Sequence, residues 1–552
     1  MFAQLLAERD IILYDQRGVG LSEPALCRSL DTVMARLPLQ GLSRAAFTEQ
    51  KRSAFARCAA EMSSKGVDLS QYNTVASALD LRDLRVALDV REWNVYSGSY
   101  GARLTLEAMR TAPEGIRAVV LDSPSPPNAS IWTDNPAIVA SVLAATFSRC
   151  ASDPACAAAF PDAEGRFWRN VETLEREPLV LRTRAADGSR DSIRVTGTLL
   201  VGAVFQGLYS SHFHGVLPLL TREVDKRNRD LLSNVAQALQ MPPGTISNGL
   251  YWTVECNEVA PLAGRSTFPV SHADRAALME RLGVGSLGDA CDALHPFRAG
   301  PERAEPVTSD LPVLLFTGRL DPVTPPAYAR LAAGTLQNAR VVEVPGAGHG
   351  ESPRHDCTQR LTREFLVDPA APLDVACADS IQPPPFVTDV RLTPGVARIA
   401  SMFTPASSPV VLGGVAAPLL VLLSAVLVSP AAGLWTRVRR RPRPAVSLME
   451  RRARLGALGV ATLSLAFLAA LAFTVSRTVG QNPFVLALGL PASAAPLLLV
   501  PWLLSAGSVW LVVTAALAWR RSDWTRWGRI HFTLVAAASV LVSAALFVLG
   551  LV

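Results

Sequence analysis

The sequence predicts an α/β domain on a parallel sheet, interrupted by a helical insertion and followed by an all-α membrane region. Three observations carry that reading. Strand-like and helix-like stretches alternate over residues 1–123 and again over 306–380, the pattern of a parallel sheet covered on both faces. Residues 124–305 between them show mainly helical spacing, Pro-rich junctions such as SPSPPN and few buried-strand runs. The last third carries long uncharged stretches, at 399–436, 455–476 and 478–519.

Taken in order, DIILYD (10–15) is a short apolar run closed by Asp and a Gly-rich turn, and it is predicted to be a strand. Residues 74–92 have helical spacing, with Leu81, Leu84 and Leu88 at i, i+3 and i+7. WNVY (93–96) predicts a strand, 102–111 a helix and AVVLDS (118–123) another strand. After the insertion, LPVLLFTG (311–318) predicts a strand, 325–335 a helix and ARVVEVPG (339–346) a strand. A helical insertion of this kind is expected to cap an active site; a second structural domain would have the same pattern. Residues 381–407 are read as a linker and 408–552 as the membrane region.

Charge separates these parts. The chain is 49% hydrophobic with a net charge of +6. From Ile399 onward thirteen arginines face only Glu450 and Asp523, so the remaining 40 of 53 basic residues face 45 of 47 acids before that point. The basic excess sits wholly in the apolar tail, which excludes a nucleic-acid partner as its explanation. A membrane span needs about 20 apolar residues. Four are expected, near 409–433, 455–476, 496–518 and 530–551, with an interfacial segment around 483–495 broken by Pro491 and Pro496. Eight arginines fall in 437–454 and four in 520–529. Arg-rich loops stay cytoplasmic, which sends residues 1–398 to the other side of a cell (inner) membrane, into the periplasm or outside.

All eight cysteines precede the first expected span, as suits an oxidising compartment. Pairing sequence neighbours gives 27–58, 150–156, 256–291 and 357–377; spacing alone argues for 150–156, in CASDPAC. Neither a CxxC pair nor a CxH element suggests zinc, and no metal or cofactor is expected. An exported domain needs a leader, and MFAQLLAERDIILYDQRG does not read as one.

The chemistry centres on SGSYG (97–101), between a predicted strand and a predicted helix. A nucleophile elbow has the form G-x-S-x-G because the turn is sharp and crowded; here Ser97 replaces the first Gly, and Ser99 is the candidate nucleophile. Of seven histidines, His349 in PGAGHGE follows a predicted strand directly and is the candidate base. His212, His214, His272 and His295 lie in the insertion and are read as structural, His355 follows six residues after His349, and His531 falls in a span. Asp321, in LLFTGRLDPVTPP, is the candidate acid, with Asp122 its rival. The order Ser99, Asp321, His349 is that of α/β hydrolases.

LYDQRGVGLSEP (13–24), WNVYSGSYGARL (93–104), LLFTGRLDPVTPP (314–326) and VEVPGAGHG (342–350) together resemble the α/β hydrolases of the prolyl iminopeptidase and tripeptidyl aminopeptidase group, over roughly residues 1–380. The run from Asp15 to Ser22 is specific to that group, and YWTVECNEVAP (251–261) resembles its cap segment. The resemblance implies a serine exopeptidase that acts on peptides with a free N-terminus, without a cofactor. It implies that cap carboxylates hold the substrate ammonium, which points to Glu258 and, second, Glu255; a salt bridge within the cap is the other reading of these residues. The backbone N–H of Tyr100 would be an oxyanion donor. An esterase with the same triad, or a degenerate hydrolase domain used for binding or sensing, are the alternatives.

The family carries an HGGPG segment ahead of the DQRG strand, supplying a second oxyanion donor, and this sequence contains none. The strand beside it would also be missing from mid-sheet, making the fold N-terminally incomplete. The expectation is that Met1 is an internal methionine of a longer protein whose front holds a leader, the first strands and that loop. The upstream reading frame tests it.

Overall fold

The computed structural model describes residues 5–22, 26–40, 42–184, 190–238, 244–259, 266–284, 289–294, 301–393, 417–427, 435, 438, 447–522 and 524–548. His295, residues 394–407 of the expected linker, most of the 437–446 Arg-rich stretch and the first expected span outside 417–427 lie outside them. There are two compact units: Met1–Arg229 with Leu239–Phe386, and Asp230–Ala238 with Val387–Val552.

The first unit opens with helices α1 (Arg28–Arg36), α2 (Arg44–Ser64) and α3 (Thr74–Ala87). Short polar side chains start the longer two: Ser43 accepts from Ala46 N–H, and Asn73 from Ala76 N–H. Strand β1 (Trp93–Gly98), helix α4 (Tyr100–Thr111) and strand β2 (Ile116–Asp122) follow. The insertion contributes α5 (Ile131–Ser152), α6 (Ala163–Arg176), the strands β3 (Leu179–Arg184) and β4 (Arg190–Val195), then α7 (Gly197–Leu208), α8 (Ser211–Asp225), α9 (Asn248–Val254) and α10 (Ala273–Arg281). The core resumes with β5 (Ser309–Gly318), α11 (Pro326–Ala333), β6 (Leu336–Val344) and α12 (Asp356–Val367).

Four strands form one parallel sheet in the order β1-β2-β5-β6. Alternate residues of each strand feed opposite cores, as the two-residue period requires. Val119, Leu121, Val313 and Leu315 pack with Ala102 and Leu106 of α4 and Ala332 of α11. Ala118, Val120, Leu314 and Phe316 pack with Leu361 and Phe365 of α12. Both faces are buried, which is why these strands read as continuous apolar runs. Each buried Leu, Val or Phe contributes about 1.5–3 kcal/mol over its exposed state.

Two expectations are corrected. Residues 10–16 are not a strand. Ile11 packs toward one core and Tyr14 toward the other, as in an extended segment, but no described strand offers them a backbone ladder. The insertion also contains an antiparallel ladder, β3 on β4, with Leu179 opposite Val195 and Leu181 opposite Ile193. Leu179, Leu181 and Ile193 are buried while Val180 is exposed, a strand alternation inside a mainly helical cap.

All four neighbour pairings of cysteine form disulfides: Cys27–Cys58, Cys150–Cys156, Cys256–Cys291 and Cys357–Cys377.

In the second unit, α13 (Leu448–Gln481) holds the second expected span, and α14 (Val500–Arg521) and α15 (Arg526–Val548) hold most of the third and fourth, with 549–551 outside the described residues. Among the described residues three helices are long and apolar enough to cross a membrane, which marks the chain as membrane-associated. Ala417–Leu427 is a shorter apolar helix within the first expected span. Between α13 and α14 the chain breaks into a helical turn over Val485–Leu488, a strand β8 (Gly489–Pro491) and a 3-10 stretch over Ala492–Leu499; β8 pairs with β7 (Val390–Leu392).

Candidate active site

Parallel strands deliver their C-terminal ends to one edge, and the register aligns those ends: Gly98 with Asp122, Asp122 with Phe316, and Gly318 with Val344. Ser99, Asp321 and His349 each follow one of these strands, so a shared sheet edge collects residues more than 200 positions apart in the chain.

Ser99 is the N-cap of α4 at φ 54° and ψ −122°, a conformation that costs a non-glycine residue about 1–3 kcal/mol. The turn is held by Ser99 N–H to Asp122 O at 2.9 Å and Ala102 N–H to Ser99 O at 3.0 Å. A Cβ on Gly101 would sit 3.4 Å from the Ser97 Cβ, an ordinary contact, so residues 97 and 101 pack against each other across the turn. The Ser97 hydroxyl pairs with Thr105 Oγ1 at 2.8 Å, which accommodates the replacement of the usual first glycine. Tyr100 is the first residue of α4; its N–H belongs to the unpaired first turn, where the helix dipole favours negative charge.

Asp321 is fully buried, and its oxygens are all engaged. Oδ1 accepts from Val323 N–H and Thr324 N–H, both at 2.8 Å. Oδ2 accepts from Thr324 Oγ1 at 2.9 Å and meets His349 Nδ1 at 2.8 Å. Burial pushes this carboxyl up, but the imidazole and the two N–H groups outweigh it and hold the pKa below the usual carboxylate range. Conversely, burial opposes an imidazolium at His349, yet the Asp321 charge and hydrogen bond prevail and raise its pKa. The His349 loop is pinned by its own N–H to Tyr209 O at 2.9 Å. Gly348 permits this: a Cβ there would lie 2.6 Å from that same carbonyl. The Tyr209 ring meets the imidazole edge-on, with centroids 5.1 Å apart. Ser99 Oγ makes no hydrogen bond to His349 in this structure; the sheet register and the elbow backbone are what bring it to the same edge.

The rival acid, Asp122, is turned to other work. It accepts from Ser352 N–H at 3.1 Å, Ser352 Oγ at 2.8 Å and Tyr96 OH at 3.2 Å, and burial raises its pKa. His214 is buried, paired with Thr146 Oγ1 at 2.7 Å and pushed down to about 4 by burial, consistent with a structural role. Among the described residues no group of three or more His, Cys, Asp or Glu is arranged to hold a metal.

The two cap carboxylates lie on one π-helical turn, Glu255–Val259, and have different surroundings. Glu255 takes one hydrogen bond, from Trp132 Nε1 to Oε2 at 2.6 Å, and burial lifts its pKa to about 7. Trp132 stacks on Trp252 at 5.4 Å, with Tyr251 beside both. Glu258 accepts from Thr74 N–H and Thr74 Oγ1, each at 2.6 Å, and lies 3.5 Å from Arg103 Nε. Sequence reasoning missed Thr324, Tyr209 and Trp132. Only Thr324 had a local signal, as a hydroxyl three residues after the candidate acid.

A family model described as the alpha/beta hydrolase fold matches residues 1–350. Among solved structures, an alpha/beta hydrolase enzyme from a Medee basin deep-sea metagenome library is 15% identical over 55% of this chain and 74% of its own, with a TM-score of 0.25. A hydrolase from Pseudomonas aeruginosa PA01 is 18% identical over 55% and 75%, with a TM-score of 0.23. An esterase from Exiguobacterium antarcticum is 12% identical over 54% and 76%, with a TM-score of 0.24. No curated protein matches the sequence. The match over 350 of 552 residues takes in the sheet, the elbow and the Asp–His pair just described, and the chain belongs to the alpha/beta hydrolase fold family.

Proposed function

We propose that this chain is a membrane-anchored serine hydrolase that releases residues or short peptides from the N-termini of peptides. The observation that carries the reading is the buried Asp321–His349 hydrogen bond at 2.8 Å on the same sheet edge as the Ser99 elbow. In the reaction, Ser99 Oγ attacks the scissile carbonyl while His349 Nε2 takes its proton. The tetrahedral oxyanion accepts from the Tyr100 N–H. His349 then protonates the leaving amine, and water, activated by the same imidazole, hydrolyses the acyl-enzyme. Asp321 fixes the Nδ1–H tautomer and stabilises the transient imidazolium. The Ser99–His349 bond is expected to close in the substrate complex, since such bonds are often loose before substrate binds.

Glu255 is the proposed ammonium site. Among the described residues no donor reaches its Oε1, and the aromatic rings around it suit a desolvated cation. This geometry favours an amine-bearing substrate over the simple acyl ester of an esterase. Four disulfides and the Arg-rich membrane loops support an extracytoplasmic hydrolase unit on a cell membrane.

The test is labelling by a fluorophosphonate, followed by hydrolysis of an aminoacyl amide and its N-blocked counterpart. Labelling is expected in the full chain and lost in Ser99→Ala, and the free amine is expected to be preferred. Because the His349 pKa is raised and the base works neutral, kcat/KM rises with pH, with its midpoint above about 6.5. A full chain that resists the probe refutes the reading.

A further inference from the structure

We infer that Glu258 is a positioning residue, which clamps the cap to the first turn of the nucleophile helix through Thr74, Tyr100 and Arg103 instead of binding substrate. The inference rests on the hydrolase reading above and departs from the role that resemblance implies for this residue.

The direction of each hydrogen bond follows from proton counting. Glu258 Oε1 accepts the Thr74 N–H at 2.6 Å. That donor opens α3 and has no partner within its own helix, and a carboxylate suits that end of the dipole. Glu258 Oε2 accepts the Thr74 hydroxyl proton, also at 2.6 Å. Thr74 Oγ1 has then spent its one proton, so across the 3.0 Å contact with Tyr100 OH the tyrosine donates. The relay runs Tyr100 to Thr74 to Glu258, and the Tyr100 N–H is the proposed oxyanion donor beside Ser99. Arg103, one turn further along α4, closes a second arm at 3.5 Å from Glu258 Oε2. Thr74, Arg103 and Glu258 are all buried, so these contacts are little screened by water.

A close ion pair separates the two cap carboxylates: among the described residues Glu258 has one, with Arg103, and Glu255 has none. The Arg103 guanidinium already balances Glu258, and it would repel an ammonium brought to the same oxygens. Glu255, three residues earlier on the same turn, keeps one oxygen without a donor among the described residues. One turn of the cap thus faces the substrate with Glu255 and the nucleophile helix with Glu258.

The experiment compares Tyr100→Phe, Thr74→Val and Glu258→Gln in the full chain. Tyr100→Phe removes one hydroxyl and keeps the ring, so it tests the relay even where another variant fails to fold. Readouts are the second-order rate of fluorophosphonate labelling, which needs no ammonium site, and kcat and KM for an aminoacyl amide. Each variant is expected to slow labelling and lower kcat by about tenfold, as for loss of one buried hydrogen bond, with KM unchanged. The Tyr100→Phe/Glu258→Gln double variant is expected to be no slower than the slower single, because both cut one relay. A Glu258→Gln variant with raised KM and unchanged labelling would make Glu258 a substrate ligand and overturn the inference. So would variants that melt earlier yet keep both rates, which would leave the network purely structural. A wild-type chain inert to the probe removes the hydrolase reading itself, an outcome no variant can mimic.

Discussion

In the hydrolase unit the largest fully buried side chains include Tyr328, Phe55, Phe316 and Phe365, around a sheet whose inner residues are Val and Leu. In the membrane unit the buried positions of α13 and α14 include Ala453, Ala457, Ala461, Ala515 and Ala518 beside the larger Phe467, Leu471, Leu504 and Leu511, while Trp502, Leu503, Val509 and Trp510 stand exposed. Water drives large apolar groups inward, so the first unit hides them. Lipid tails offer no such drive, and helices in a bilayer associate by close approach over small residues. What distinguishes the second unit is the share of small residues at its buried positions and the large apolar side chains left on its outer face.

Three substitutions test this contrast. Leu121→Ala, at a fully buried position of β2, is expected to destabilise the hydrolase unit by about 2–5 kcal/mol, read as a lower denaturant midpoint. A smaller loss would mean that the sheet core relaxes around the cavity. Ala461→Leu, fully buried between membrane helices, is expected to cost about 1–3 kcal/mol by overpacking, read as earlier unfolding of the detergent-solubilised chain. Tolerance there would deny that small residues set the helix spacing. Leu541→Ala, more than half exposed on α15, is expected to change stability by under about 0.5 kcal/mol in the same assay. A large effect would place that face against protein instead of lipid.

Local pattern carried the elements whose partners are adjacent or solvent-defined. The strand, elbow and helix around Ser99 and the apolar helices of the membrane unit were legible because two-residue and 3.6-residue periods and uncharged runs are properties of short windows. The alternation in β3 and β4 was also there to be read, but it was overlooked within a helical context. Residues 10–16 went the other way: their pattern is strand-like, and a strand exists only where a neighbour supplies hydrogen bonds. Sequence preferred Asp321 by its place in the chain order and kept Asp122, at the end of a strand, as a rival; the structure gives the first to His349 and the second to Ser352.

The sequence by itself determined the class of each region, because composition and period decide what a segment must bury and in which solvent. It also determined which residues stand at strand ends, and hence which were candidates for chemistry. Only the tertiary structure decided who meets whom: His349 with Asp321, Glu258 with Thr74 and Arg103, and Glu255 with Trp132. Those contacts join residues 28 to 184 positions apart, or more than a hundred for either cap carboxylate. At such distances a carboxylate's role is set by the donors that folding places around it.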